Sequence, residues 1–216
     1  MKVRTKLGAI VAVVLFAAFT SLSGCATTGM QRSEKAVTTM KTVEDDIRKA
    51  VVQIDVTNAS LADLVKPGQN DIKKVYSIYS DNTDKMEDIG KRVLEHTEKM
   101  RLQGKDYFGE WQKQGNTYEN PDIQALSEQR RADMSSIYVK ISEASVGVKG
   151  SLKTYLTDIV EIKTYLSNDL TPKGVESITP IAEKAVTDGN NLKESLDSVL
   201  TAVGRARAEL ALGAAK

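Results

Sequence analysis

The sequence holds one cysteine, one histidine, one tryptophan and four prolines in 216 residues. A lone thiol cannot form a disulfide within the chain, so no disulfide framework supports the fold. One imidazole, His96, and one thiol, Cys25, leave too few soft ligands for a zinc site, and no EF-hand spacing supplies oxygen ligands instead. Nucleophilic catalysis lacks parts as well. A Ser–His–acid set would have to use His96, and neither a G-x-S-x-G element nor a phosphate-cradling glycine loop occurs. No metal, no cofactor and no catalysis are therefore expected. Charge of one sign is also missing: 30 basic residues face 29 acidic ones, which excludes a basic nucleic-acid surface and a polyanionic tail. Aromatics make up only 5% of the chain, alternation by two is absent, and no repeat of 20 to 50 residues is visible.

Long hydrophobic runs are missing too, and the one short run is informative. Leu7 to Phe19 carries no charge, but at about 13 residues it falls short of the roughly 20 that a bilayer-spanning helix needs. Lys2, Arg4 and Lys6 precede it, as in a secretory signal. The segment closes on Leu22-Ser23-Gly24-Cys25, which resembles the lipobox of bacterial lipoproteins, where small residues precede a cysteine that is acylated and becomes the mature first residue. An ordinary signal peptide, or a small buried cysteine, is the plainer alternative. The lipobox reading divides the chain into a signal peptide over 1–24, a lipidated tether over 25–29 and a folded domain over 30–216. It makes the bilayer a partner through acyl chains on Cys25, each buried methylene contributing about 0.8 kcal/mol. Alanine rather than aspartate follows the cysteine, which by resemblance to the enterobacterial sorting rule implies the outer membrane, facing the periplasm.

What is abundant is the composition of long amphipathic helices. Removing the three basic signal residues leaves 27 basic against 29 acidic side chains. Lys66-Pro67-Gly68, Asn120-Pro121 and Thr171-Pro172 punctuate the rest into stretches over 30–65, 70–118, 122–168 and 172–213. Asn120 and Thr171 are suited to cap helices that begin at Pro121 and Pro172, where a missing N–H costs nothing. Apolar residues recur at alternating threes and fours within each stretch, as in Met40, Ile47, Val51 and Ile54 or Met134, Ile137 and Ile141. The pattern predicts an all-α fold: an elongated, antiparallel, up-down-up-down bundle of three to four long coiled-coil-like helices. The 66–70 and 168–171 turns should lie far from the lipid anchor, and the 118–122 turn and the C-terminus near it. Two places look weak. Gly104, Gly109 and Gly115 crowd one half-helix, each costing about 1 kcal/mol relative to alanine, and Pro180, with Thr179 available as a cap, is placed to break the last helix.

Polar residues interrupt the apolar seams. Glu44, Asn58, Asn82 and His96 fall at seam positions, and antiparallel pairing about the 66–70 turn puts His96 within a turn of Glu44. A His–Glu pair acting as a pH latch is one reading; a polar layer that fixes helix register, like a seam asparagine, is the favoured one. Register predicts that His96→Leu keeps the fold. Tyr107, Phe108, Trp111 and Tyr118 form the most distinctive cluster. They suit a membrane-interface or partner contact, although filling the end of a slim bundle explains them more simply.

Phe108-Gly109-Glu110-Trp111, Arg130, Tyr138, Leu152-Lys153-Thr154-Tyr155-Leu156 with Asp158, and the run Lys163 to Leu170 together resemble a family of exported bacterial helical proteins classed only as a domain of unknown function. The resemblance covers roughly residues 75 to 210. It implies a helical, often lipidated envelope protein and supplies no activity or site residues. The terminal Lys216 resembles the residue by which the major murein lipoprotein joins peptidoglycan, but chance in a lysine-rich sequence is the favoured reading, since the bundle puts this end beside the membrane and away from the wall. The expected function is a membrane-anchored structural or interaction role with an envelope protein partner. The competing expectation is a bundle that carries an apolar ligand or lipid between its helices.

Overall fold

A computed structural model describes residues 28–214, with side chains as far as residue 211. Four helices make up the described residues: α1 (Gly29–Leu64), α2 (Ile72–Gly115), α3 (Pro121–Asn168) and α4 (Pro172–Ala214). Each begins where a side chain can satisfy free backbone N–H groups. Thr28 forms a reciprocal capping box with Gln31. Asp71 accepts from the Lys74 N–H at 3.1 Å. Asn120 accepts from the amides of Asp122 and Ile123 ahead of Pro121, and the Thr171 hydroxyl accepts from the Gly174 N–H at 3.0 Å. Both prolines therefore open helices, as their fixed φ favours. Gly68 turns the chain between α1 and α2 at φ 77°, a left-handed conformation that a side chain would strain.

Each helix packs on the next, and α1 also packs on α4, which closes a four-membered antiparallel ring. Met40, Ile47, Ile54 and Leu61 of α1 recur every seven residues and are fully buried. Tyr79, Met86, Val93 and Met100 follow the same period in α2, and Ile141, Val148, Tyr155 and Ile162 in α3. A strict heptad keeps one stripe facing the axis along the whole length. The 44 residues of α2 give a rod about 66 Å long. Gly29, the 116–120 turn and Ala214 share one end; the 65–71 and 169–171 turns share the other.

Two expectations at the weak points are corrected. The helix is not broken at Pro180: α4 runs through it without interruption. Thr179 does not cap a new helix but donates back to the Val175 carbonyl, and Ile178, Ala182 and Ala185 are buried on either side of the proline, so packing holds the segment helical. The glycine-rich half-helix is continuous as far as Gly115. There Gly104 lies against the Tyr138 ring, so close that a Cβ would fall 2.2 Å from it. The residue that costs helix propensity is the one that lets α3 approach. The segment expected to run to 118 stops three residues earlier, where Asn116, Thr117 and Tyr118 turn over the last carbonyls. Leu22, Ser23, Gly24, Cys25, the rest of the expected signal segment and Lys216 lie outside the described residues.

Candidate functional site

The polar seam residues are recruited singly, each toward a different neighbour. His96 does not pair with Glu44. Its Nδ1 lies 2.6 Å from Asp46 Oδ2, with Arg92 Nε 4.0 Å from the other carboxylate oxygen. Glu44 instead receives Arg48 at 2.9 Å within α1, and Arg207 of α4 at 3.1 Å in an ion pair that lacks hydrogen-bond geometry. The physical reason is angular. Two residues along a helix turn its face by about 200°, so Asp46 looks toward α2 while Glu44 looks toward α4. A seam template that treats α1 as paired with α2 alone cannot separate the two acids.

Asn58 and Asn82 are buried, as a polar layer requires, and Asn58 anchors a network that reaches three helices. Its Nδ2 donates to the Val186 carbonyl at 3.1 Å and to Asn190 Oδ1 at 3.4 Å in α4. Tyr155 of α3 donates to its Oδ1 at 2.8 Å. Asn58 and the Tyr155 ring lie over Gly189, where a Cβ would come within 2.8 Å of both. Asn82 contributes its backbone carbonyl, which accepts from Gln53 Nε2 at 3.1 Å and the Thr57 hydroxyl at 3.3 Å. Burial raises the Tyr155 and Tyr79 phenols well above the ordinary range, and the Tyr79 hydroxyl donates to the Ile159 carbonyl at 2.7 Å. Tyr155, Asn190 and Gly189 carry no polar-layer signal in sequence, because a tyrosine on a seam reads as an apolar filler.

The aromatic residues assemble near the Gly29 end. Tyr107 meets Phe108 and Trp111 edge-on, with ring centroids 5.0 and 5.8 Å apart, and Phe108 meets Tyr138 of α3 at 5.4 Å. These rings are half-buried against the core, and Trp111 Nε1 donates to Ser127 Oγ at 3.0 Å. Burial pushes the Tyr138 phenol up to about 12. Tyr118 sits apart from the stack and is exposed. It joins Met30, Ile123 and Leu126 as large apolar side chains left in solvent around the same end.

The aromatic stack also divides two hollows. On its Gly29 side, Met30, Arg32, Trp111, Tyr118 and Arg130 line a cavity of about 570 Å³. On the other side, a groove of about 440 Å³ opens between α2 and α3. Phe108 and Tyr138 close one end of that groove. Val93, Met100, Ile141 and Val148 form its walls, and Ile47 of α1 and Val199 of α4 line it as well. It therefore passes through the seam to the bundle axis. Nothing in the heptad pattern announces a groove, since its walls include ordinary seam residues of both helices.

Among the described residues there is no cluster of three or more His, Cys, Asp or Glu side chains that could hold a metal ion. Nor, among them, is any helix long and apolar enough to cross a membrane. Comparison with known proteins adds one result. A family model described as a protein of unknown function, DUF2959, matches residues 23–206. The chain belongs to the DUF2959 family. The matched span opens two residues ahead of Cys25 and takes in all but the last turns of α4. No curated protein and no solved structure matches the chain.

Proposed function

We propose that this DUF2959 protein is a lipid-anchored envelope protein whose bundle serves a structural or interaction role without catalysis. Cys25 carries the lipid, residues 1–24 are removed on export, and the rod stands on the periplasmic side of the outer membrane. Its partners are the bilayer and an envelope protein, not nucleic acid, and it needs no cofactor beyond the covalent lipid. One observation carries the reading: the exposed apolar residues Met30, Tyr118, Ile123 and Leu126 gather at the end where α1 begins, four residues after Cys25. Four tether residues extend at most about 14 Å, so acylation holds this end within reach of the headgroups. Apolar side chains that would be idle in water then face a medium that accepts them, and the half-buried Trp111 and Tyr107 suit the interfacial depth.

The test is lipid itself. Protein recovered from cells should carry acyl chains on Cys25 by mass spectrometry, and Cys25→Ser should move it from the membrane to the soluble periplasmic fraction. An unmodified Cys25 thiol in the recovered protein would refute the proposal. The α2–α3 groove favours a second reading, in which the same tethered bundle is a binding module or carrier for an apolar ligand.

A further inference from the structure

The groove between α2 and α3 has the shape and charge of a site for one particular kind of molecule. Close helix contacts occur at two points along this interface, where Gly90 lies against Leu156 and Gly104 against Tyr138. From Val93 to Phe108 on α2 and from Ser135 to Leu152 on α3, the interface leaves a slot of about 440 Å³. The volume is that of a small-molecule pocket. A partner helix, 10–12 Å across, would need an open-ended trough, whereas this slot is closed at one end by Phe108 and Tyr138. It suits a thin flexible chain.

The inner surface is apolar, and the lip leaves apolar surface uncovered. Val139 and Val146, a heptad apart on α3, line the groove at 49% and 74% exposure. Charge at the lip is one-sided. Arg101, Lys105 and Lys149 face the opening against one acid, Glu98. Glu98 is bound by Arg101 through two hydrogen bonds, at 2.9 and 2.6 Å. Among the described residues neither Lys105 nor Lys149 lies in a salt bridge, Glu98 acting on Lys149 only through space, so three cations against one acid leave the lip net positive.

We infer that this groove binds a long-chain carboxylate, with the acyl chain between α2 and α3 and the carboxylate held by Lys105 and Lys149. This rests on the binding-module reading and narrows it to a ligand class. Burying the chain removes Val139 and Val146 from water, the hydrophobic term that drives association. A carboxylate placed at the lip keeps its solvation on one side and gains charge-assisted hydrogen bonds on the other.

The experiment uses the full exported chain carrying Cys25→Ser, so that its own lipid does not compete, with palmitate and the uncharged hexadecanol as probes in calorimetric titration. Palmitate should bind once per chain and at least tenfold more tightly than hexadecanol. The double variant Lys105→Glu/Lys149→Glu should weaken palmitate at least tenfold and leave hexadecanol unchanged. Ser142→Trp, at an exposed lining position, should abolish both while circular dichroism stays native. Equal binding of the two probes would overturn the carboxylate assignment while leaving the binding-module reading intact. Binding of neither would sink both. Palmitate binding that survives Ser142→Trp would place the site elsewhere. A dimer that Ser142→Trp dissociates would give the groove to a second copy of the chain; either result overturns the inference.

Discussion

Gly189→Ala should destabilise the bundle, although alanine is the better helix former. In an unobstructed helix the exchange gains about 1 kcal/mol. At Gly189 the new methyl would fall 2.7 Å from Asn58 Nδ2, 2.8 Å from Asn58 Oδ1 and 2.8 Å from Tyr155 Cε2. Neither neighbour can yield cheaply. Asn58 is held by Val186, Asn190 and Tyr155, and the Tyr155 ring is fully buried. Moving Asn58 leaves buried polar groups unsatisfied at about 1–3 kcal/mol each, and overpacking adds about 1–3 kcal/mol. Against the propensity gain, the net loss is about 1–5 kcal/mol, or roughly 2–20 °C in Tm for a chain of this size. Gly150→Ala is the internal control. Nothing lies within 4 Å of a Cβ there, so only the gain of about 1 kcal/mol remains. Urea unfolding followed by circular dichroism at 222 nm reads both. The two variants should move in opposite directions. If Gly189→Ala proves as stable as Gly150→Ala, the Asn58 layer does not hold its geometry against one methyl group, and the register argument fails.

Further expectations concern the other polar positions. His96→Leu should retain native helicity but lose about 1–3 kcal/mol, because it strips a hydrogen bond from Asp46, whose side chain is 7% exposed. The double variant His96→Leu/Asp46→Leu should recover much of that loss, and a double variant less stable than the single one in denaturant melts would contradict this. Alkaline titration should be cooperative. The Tyr138 phenol is held near 12 and the folded chain keeps a proton that an unfolded tyrosine releases near 10. Stability is therefore intact below about pH 10 and falls as pH rises toward 12, Tyr138 alone removing about 2–3 kcal/mol. Tyr79 and Tyr155 act in the same direction. The share of the 295 nm phenolate absorbance that comes from Tyr79, Tyr138 and Tyr155 should thus appear together with loss of helicity; buried tyrosines that ionise while the helices persist would count against the packing described. Tyr155→Phe, which orphans Asn58 Oδ1, should cost about 1–3 kcal/mol in the same urea assay, and an unchanged midpoint would mean that the hydroxyl is dispensable.

The helices were legible because two independent signals coincide in them. Asn120-Pro121 and Thr171-Pro172 mark starts by backbone chemistry, and the heptad from Met40 to Leu61 marks the buried stripe. What escaped is what depends on a third helix. Glu44 and Asp46 are separable only once α4 is known to flank α1. Gly104 and Gly189 read as liabilities in one dimension, and their value lies in the Tyr138 and Asn58 side chains that they admit. Pro180 reads as a break because a local rule cannot weigh the buried neighbours that hold the segment straight. The groove was illegible for the same reason: a wall residue and a seam residue have the same identity, and only the packing of α2 against α3 tells them apart.

An even number of passes has a topological outcome. A chain that crosses the rod four times comes back to the pole from which it set out, so α1 begins and α4 finishes side by side. Any cargo or cross-link attached at the start of α1 or the end of α4 is confined to that pole. Among the described residues, the opposite pole, some 60 Å away by the rise of an α-helix, is made of two hairpin bends. Among the described residues, a contact made far from that pole falls to those bends or to the flanks of the shaft.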